Sequence, residues 1–296
     1  MNRNTFSGFH PAINLLYFVC VIGFSMVFTH PVCLAVSFVC ALSYGVYING
    51  RKAVRFNLLY MLPMLVLAAL INPAFNHAGA TILAYLPSGN PLTLESILYG
   101  VAAALMLITV ISWFSCYTAV MTSDKFVYLF GRVIPALSLI LSMALRFVPR
   151  FRAQIRVISN AQKCVGRDAS SGSILRKLRH GVKILSIMVT WALENAIETA
   201  DSMKGRGYGL PGRTAFSIFR FDRRDAYALA YILLCAGIVL TGSVTGAYQF
   251  RYFPTVKGSW SGASLAVFAA YFALGLFPII VNLKEDFVWK SINSKT

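Results

Sequence analysis

Residues Ile97–Thr118 read ILYGVAAALMLITVISWFSCYT, a run that contains no Asp, Glu, Lys or Arg. About 20 predominantly apolar residues are needed for an α-helix to cross the roughly 30 Å hydrocarbon core of a bilayer. A helix of a soluble protein would instead carry a polar face toward water. This stretch therefore predicts a membrane span.

Five further runs are similarly apolar, so the sequence predicts several membrane spans rather than one. They are approximately Ile13–Thr29, Val32–Ile48, Phe56–Ile71, Ala226–Ala247 and Ala263–Val281. The whole chain is 57% hydrophobic and only 12% charged, whereas soluble domains have about 25% charged residues. We predict an all-α, polytopic membrane helical bundle with about six spans.

The charge distribution predicts the orientation of the spans. Lys and Arg outnumber Asp and Glu by 27 to 10, giving a net charge of +17. In a membrane protein such residues concentrate in cytoplasmic loops, so we expect no nucleic-acid partner. Arg51, Lys52 and Arg55 follow the second span, whereas the loop 72–96 has no Lys or Arg. Both chain termini are therefore expected on the cytoplasmic side.

Most of the positive charge lies between the fourth and fifth spans. We predict three regions: spans 1–4 in residues 1–120, a cytoplasmic or interfacial domain of long amphipathic helices in 121–225, and spans 5–6 in 226–296. The apolar stretch Phe126–Leu145 is interrupted by Arg132 and Pro135. It either spans the membrane or lies at its interface. We favour the interface, because a crossing would place the basic region outside.

Two amphipathic helices are predicted in this basic region. The first begins near Arg146, with Pro149 in its first turn, and ends at Gly166. Its apolar face is formed by Phe147, Phe151, Ile155 and Ile158. The second begins near Ile174 and stops at the glycines 205, 207 and 209. Its apolar seam consists of Leu175, Leu178, Val182, Leu185, Val189, Ala192 and Ala196. Such a seam predicts packing against another helix.

The sequence lacks the usual signatures of catalysis. A phosphate-binding loop needs a Gly-rich turn that ends in Lys and Ser or Thr, and Gly205-Arg206-Gly207 has no such lysine. The four histidines are scattered, and no Cys-x-x-Cys is present. We therefore expect no catalytic residue, no metal site and no cofactor.

Glu194, Glu198 and Asp201 form the only acidic constellation and share one face of the second helix. Three carboxylates can bind a divalent cation. With so many arginines nearby, pairing with the basic face of the preceding helix is the favoured interpretation.

Several short motifs together resemble a known family. They are Phe9-His10-Pro11, Asn72-Pro73, His77-Ala78-Gly79, Ser142-Met143-Ala144-Leu145-Arg146-Phe147-Val148-Pro149 and Gly205-Arg206-Gly207. With them the chain resembles, over nearly its full length, the transmembrane T component of energy-coupling factor transporters, the vitamin and metal importers of bacteria and archaea. The resemblance implies a multi-pass protein of the prokaryotic cell membrane.

The resemblance also implies partners and site residues. Family members carry Ala-Arg-Gly near the ends of two coupling helices, and each arginine engages one of two ABC-type ATPase subunits. Here the second motif is Gly205-Arg206-Gly207. Alignment of the first motif on Gly166 places valine where the family has arginine. Either Arg167 or Lys163 could serve instead, or one ATPase could be held mainly through apolar packing. A separate small membrane subunit, the S subunit, would bind the nutrient, and this chain would link ATP hydrolysis to uptake.

Two other functions are compatible with a polytopic chain. A self-contained secondary transporter would carry charged residues within its spans, and none of the six predicted spans has one near its centre. A membrane scaffold would use the basic region only for attachment to lipid or protein. Under the favoured interpretation, the S subunit and not this chain determines which nutrient is transported.

Overall fold

The computed structural model describes residues 4–85, 91–131, 134–166, 173–208, 210, 219–258 and 262–293. The described residues divide into two compact units. One comprises Met1–Lys125 and Phe219–Thr296, and the other comprises Phe126–Ile218. We call them the membrane-helix unit and the basic unit.

The membrane-helix unit is built from long apolar helices. After a 3₁₀ helix at Thr5–Gly8, the helices are α1 (Pro11–Val27), α2 (Pro31–Asn49), α3 (Arg51–Phe56), α4 (Leu62–Phe75), α5 (Leu94–Val120), α9 (Arg223–Val244) and α10 (Gly262–Asn293). A π-helical turn at Asn57–Met61 joins α3 to α4, so residues 51–75 form one continuous helix.

Five of these helical segments are long and apolar enough to cross a membrane, namely α2, α3–α4, α5, α9 and α10. The sixth, α1, is apolar but has 17 residues, at the lower limit of about 17 for a span. The all-α, polytopic class predicted from the apolar runs is confirmed. The third predicted span begins five residues earlier than expected, at Arg51, because α3 and α4 continue through the π turn.

Histidine and proline begin the first two helices in the same way. His10 and His30 are the N-caps of α1 and α2, and each Nδ1 accepts a bond from the backbone N–H two residues ahead, at 3.3 and 3.2 Å. Pro11 and Pro31 occupy the first helical position, where the missing N–H costs nothing. The short turn between α1 and α2 is thus fixed by local chemistry.

The core of the membrane-helix unit is aromatic with a small polar centre. Tyr17, Tyr44 and Trp113 are fully buried. Trp113 Nε1 donates to Ser37 Oγ at 3.0 Å, and Ser25 bonds both Ser37 and the Tyr271 hydroxyl. Hydrogen bonds of this kind join helices in an apolar environment, where a polar group without a partner is costly.

The backbones of α4 and α5 approach closely at Gly100. Pro73 has no N–H for the carbonyl of Ala69, one turn earlier. A side chain at Gly100 would place its Cβ 2.7 Å from that carbonyl oxygen. Glycine is therefore required where the two helices meet. Two short antiparallel pairs, β1 (Ile82–Tyr85) with β2 (Pro91–Thr93) and β3 (Phe250–Arg251) with β4 (Lys257–Gly258), lie in the connections before α5 and before α10.

The remaining helices are α6 (Ser123–Gly131), which runs from the membrane-helix unit into the basic unit, and α7 (Pro135–Cys164) and α8 (Ile174–Gly205) of the basic unit. The apolar stretch 126–145 is not one helix, because α6 ends at Gly131 and α7 begins at Pro135. Neither helix is among the candidate spans. The start of α7 corrects the expected boundary near Arg146, and Pro149 lies inside the helix rather than in its first turn.

Candidate functional site

The basic unit is organised around a contact between α7 and α8. Ile158 of α7 and Met188 of α8 are buried, and the rings of Phe151 and Trp191 meet edge to face with centroids 5.8 Å apart. The guanidinium carbon of Arg150 lies 5.5 Å from the Trp191 ring centroid. Aromatic and cation–π contacts of this type hold the two helices together near their middles.

The two helices run antiparallel. The first half of α7 and the last turns of α8 line one open groove of about 750 Å³. Since Phe151 faces Trp191, residues that precede Phe151 lie beside residues that follow Trp191. The carboxyl ends of α7 and α8 therefore lie at opposite ends of the pair. With about 1.5 Å per residue, each end is roughly 20 Å along its helix from the contact.

Much of the apolar seam of α8 remains exposed in the single chain. Leu175 is 80% exposed, and Leu178, Val182, Leu185 and Val189 are also exposed. Within the described residues of this chain these five side chains do not pack on another helix, because α8 turns a neighbouring face, with Met188 and Trp191, toward α7. On α7, Phe147, Phe151 and Ile158 face inward as predicted, while Ile155 is 46% exposed.

The end of α8 has a Schellman geometry. The Gly207 N–H donates to the Lys204 carbonyl at 2.9 Å, and the Tyr208 N–H donates to the Met203 carbonyl at 3.0 Å. Gly207 has a φ of +76°, the left-handed conformation that this motif assigns to glycine. Arg206, just before it, is the last residue in the helical path, with φ −87° and ψ 11°. Its side chain is exposed and contributes to the groove.

The end of α7 has the same backbone conformation. The Gly166 N–H donates to the Lys163 carbonyl at 2.9 Å, and Gly166 has a φ of +75°. Val165 has φ −91° and ψ 13°, within a few degrees of Arg206. Val165 therefore occupies the position that Arg206 occupies on α8, and Lys163 corresponds to Lys204. We call Lys163–Gly166 and Lys204–Gly207 the two helix ends.

The site residues predicted from sequence are thus divided between two places. Gly205, Arg206 and Gly207 lie at the end of α8, and Lys163 and Gly166 lie at the opposite end of the pair. The prediction for Arg167 falls outside the described residues.

The groove beside Arg206 contains basic residues that the sequence did not connect with it. Arg146 and Arg150 of α7 line it together with Arg206, and among the described lining residues Glu198 is the one that carries a carboxylate. The spacing of four residues between Arg146 and Arg150 was a signal for a shared helix face. Their closeness to Arg206 depends on the antiparallel pairing of the helices.

Among the described residues the acidic constellation forms none of the expected ion pairs with the basic face of α7. Within the part of the chain that the structure describes, no Lys, Arg or His nitrogen lies within 4.0 Å of the Glu194, Glu198 or Asp201 carboxylates. No cluster of three His, Cys, Asp or Glu side chains suited to a metal ion occurs among the described residues. All three side chains are exposed, and Glu198 borders the groove.

The fold and the site define a class, namely a multi-pass membrane protein with a basic pair of amphipathic helices ending in glycine caps. The family model CbiQ, described as "Cobalt transport protein", matches residues 3–216. The chain belongs to this family.

Relatives with the name "Energy-coupling factor transporter transmembrane protein EcfT" agree with this assignment. The protein of Lactobacillus helveticus is 34% identical over 105 residues, which are 35% of this chain and 38% of the relative. The protein of Lacticaseibacillus paracasei is 37% identical over 105 residues, or 35% and 40% of the two chains. EcfT 1 of Listeria monocytogenes is 30% identical over 209 residues, or 66% and 74%. The match thus spans about two fifths of the first two relatives and about three quarters of the third.

Proposed function

We propose that this chain is the transmembrane energy-coupling subunit of an importer, in which two ABC-type ATPase subunits dock on the two helix ends and a separate small S subunit carries the nutrient, a vitamin or a metal ion. The observation that carries the proposal is the matched backbone geometry of Lys163–Gly166 and Lys204–Gly207 at opposite ends of one helix pair. Two equivalent ends fit two partners of one structural type.

The chemistry of the α8 end supports a specific contact there. A guanidinium can donate two parallel hydrogen bonds to one carboxylate, which lysine cannot reproduce. Arg206 is exposed at the end of the helix, so its guanidinium is open to a partner. A partner carrying an acidic residue can therefore approach closely.

The exposed apolar residues of α8 support a place for the S subunit. Leu175, Leu178, Val182, Leu185 and Val189 form a stripe along one side of the helix. An apolar stripe without a partner in its own chain is typical of a protein or membrane interface. We propose that an apolar helix of the S subunit covers it.

In this proposal the chain binds no nucleotide, takes part in no catalysis and needs no cofactor. ATP hydrolysis belongs to the two ATPase subunits, and the lipid bilayer surrounds the membrane-helix unit. The purified chain alone should therefore hydrolyse no ATP above the rate of an empty-detergent control. Turnover that persists after every contaminating ATPase has been removed would refute this division of roles.

Cysteine labelling tests the docking. All six cysteines are described, and only Cys164, beside Val165, is exposed. Binding of the ATPases should slow maleimide labelling of Cys164 at least tenfold. Lys204→Cys in a Cys164→Ser background reports on the other end, and Val256→Cys in the connection before α10 is the control that binding should not change. Unprotected cysteines at both ends of an assembled complex would refute the docking sites.

The same thiol tests the orientation. We propose that the basic unit and both termini are cytoplasmic and that the membrane is the prokaryotic cell membrane. A membrane-impermeant maleimide should label Cys164 in inside-out vesicles and leave it unlabelled in intact cells. Labelling in intact cells would invert the proposed topology.

A secondary transporter and a membrane scaffold are the alternatives. A secondary transporter would move its substrate without the ATPases, and a scaffold would leave uptake unchanged when the ATPases are removed. Uptake in cells from which the ATPase genes have been deleted separates both from the proposed function, which requires uptake to stop.

A further inference from the structure

The chain leaves the membrane-helix unit after Lys125 and returns to it at Phe219. Both places are held by one short segment, Asn4–His10, which we call the N-terminal clasp. It is far from both places in sequence, and all of the contacts described below lie within the membrane-helix unit.

Lys125 holds the departing chain to the clasp. Its side chain is 5% exposed, and its Nζ donates to the Ser7 carbonyl, to Ser7 Oγ at 2.8 Å and to the Val120 carbonyl at 3.0 Å. These bonds use all three donors of an ammonium group. Burial lowers the pKa of Lys125 to about 8, so the group is still mainly protonated at neutral pH. The bond to Val120 also places a positive charge at the carboxyl end of α5, where the helix dipole favours it.

Arg224 and Asp225 hold the returning chain to the same segment. Arg224 Nη2 donates to the Gly8 carbonyl at 3.2 Å, and its guanidinium carbon lies 4.4 Å from the Phe9 ring centroid. The buried Asp225 accepts from the His10 N–H at 3.2 Å and from the Asp222 N–H at 3.0 Å. Asp225 thus closes the N-terminal capping box of α9 and binds the clasp with the same carboxylate.

The clasp is itself fixed in the core of the unit. The Phe6 N–H donates to Asn282 Oδ1 at 3.0 Å, and Asn282 Nδ2 donates to Asn4 Oδ1 at 3.1 Å. The Phe6 ring is fully buried and meets the rings of Tyr17 and Phe277 edge to face. Local unfolding of a segment with a buried aromatic anchor and satisfied polar groups costs more free energy than that of an exposed loop.

We propose that the N-terminal clasp fixes both connections of the basic unit to one point of the membrane helices, so that movement of the basic unit is transmitted to them as a single displacement. Lys125 and Arg224 are positioning residues in this role. The inference rests on the proposed function, because the movement would be driven by the docked ATPases. Loss of the clasp contacts would let the two connections move separately while the docking surface is unchanged.

Distance measurements between spin labels test the inference. One label occupies Arg152→Cys in a Cys164→Ser background, at an exposed position of α7 away from both helix ends, and a second occupies Val256→Cys in the membrane-helix unit. The complex with both ATPases is compared without nucleotide and after trapping with Mg-ATP and vanadate. When the clasp is unaltered, the distance between the two labels should have a narrow distribution before and after trapping, and trapping should shift its mean. In Lys125→Met with Arg224→Gln, the trapped distribution should be at least twice as broad, with ATPase binding unchanged.

Matched variants separate the clasp from general effects of charge. Lys52→Met with Arg220→Gln removes the same two charges at exposed positions outside the clasp and should leave the distributions narrow. Lys125→Arg keeps the charge and should restore part of the narrow distribution. If the double variant does not assemble, Arg224→Gln alone, at an exposed side chain, should still broaden the trapped distribution measurably.

The outcomes distinguish this inference from the proposed function. If the trapped distance distribution of the clasp variants were as narrow as that of the parent, the proposed role of the clasp would be refuted. A parent chain that binds no ATPase, or whose label distance does not respond to Mg-ATP and vanadate, would overturn the proposed function instead.

Discussion

The two helix ends of the basic unit share one backbone and differ in one side chain. Gly166 and Gly207 have φ values of +75° and +76°, and each N–H bonds the lysine carbonyl three residues earlier at 2.9 Å. At the position before the glycine, α7 has Val165, 66% exposed, and α8 has Arg206. The backbone conformation of the cap therefore does not depend on which side chain precedes the glycine. In the proposed complex, a partner at the α8 end can be held by charge, whereas a partner at the α7 end would meet an apolar side chain with Lys163 beside it.

Reversing the charge at the α8 end should have the largest effect. We expect Arg206→Glu to weaken ATPase binding by more than tenfold, because a lost charge-assisted hydrogen bond costs about 1.5 to 3 kcal/mol and tenfold corresponds to about 1.4 kcal/mol. Interferometry with the detergent-solubilised chain and purified ATPases measures the affinity. Arg152→Glu makes the same charge change at an exposed position of α7 and should change the affinity little. Equal affinities of Arg206→Glu and the parent would mean that Arg206 serves lipid or its own helix.

Weakening the contact between α7 and α8 should affect both ends together. Trp191→Ala removes the edge-to-face contact with Phe151 and the cation–π contact with Arg150, together worth about 1 to 2.5 kcal/mol. Hydrogen exchange of α7 and α8 should accelerate about five- to seventyfold. Leu193→Ala, at a residue that is 62% exposed on the same helix, is the control. Similar acceleration in both variants would show that the contact does not hold the ends in place.

The glycine caps should differ in their tolerance of a side chain. A left-handed conformation costs an ordinary residue about 1 to 2 kcal/mol. A Cβ at Gly207 would also lie 3.1 Å from Leu210 Cδ1, whereas no atom of the described residues lies within 4 Å of the place of a Cβ at Gly166. We expect ATPase affinity to fall about tenfold in Gly207→Ala and less in Gly166→Ala. Gly205→Ala is the control, because Gly205 is helical and alanine there should be neutral or stabilising. A loss in Gly205→Ala as large as that in Gly207→Ala would contradict the role of the cap.

Adding the missing arginine should have the smallest effect. Val165→Arg gives α7 the side chain that α8 has in the same backbone position. If the partner at this end contacts Val165 through an apolar surface, it offers no carboxylate that could pair with the new guanidinium. We therefore expect the ATPase affinity to change by less than threefold. The double variant Val165→Arg with Arg206→Val should keep the defect of Arg206→Val. Recovery of the parent affinity in the double variant would show that the two ends are interchangeable.

Local chemistry explains why several features of the basic unit could be predicted from sequence. Ile174 follows a polar run and begins α8 as expected, and Gly166 and Gly207 end their helices because glycine alone adopts the left-handed conformation without strain. The start of α7 could not be predicted from local pattern. Pro149 indicated a first turn, but the helix continues back to Pro135, because packing can stabilise a helix across a proline that an isolated segment would not tolerate.

Contacts between segments that are far apart in the chain could not be predicted from the sequence. Lys125 belongs to the basic residues that ordinarily face water, and only the fold brings the Ser7 and Val120 oxygens around its ammonium group. Likewise, the charges of Arg146, Arg150 and Arg206 were visible, but their common groove depends on the direction in which α7 and α8 pair.

The sequence by itself determined the membrane class and the helix ends, because both follow from interactions within a few residues: apolar length against the thickness of the bilayer, and glycine at a left-handed turn. The tertiary structure decided which face of α8 meets α7, which arginines share a groove, and that Asn4–His10 holds both connections of the basic unit. These features depend on the packing of segments that are far apart in the chain. The buried contacts of the whole fold, and not the pattern of any one segment, determine the free energy of the folded state.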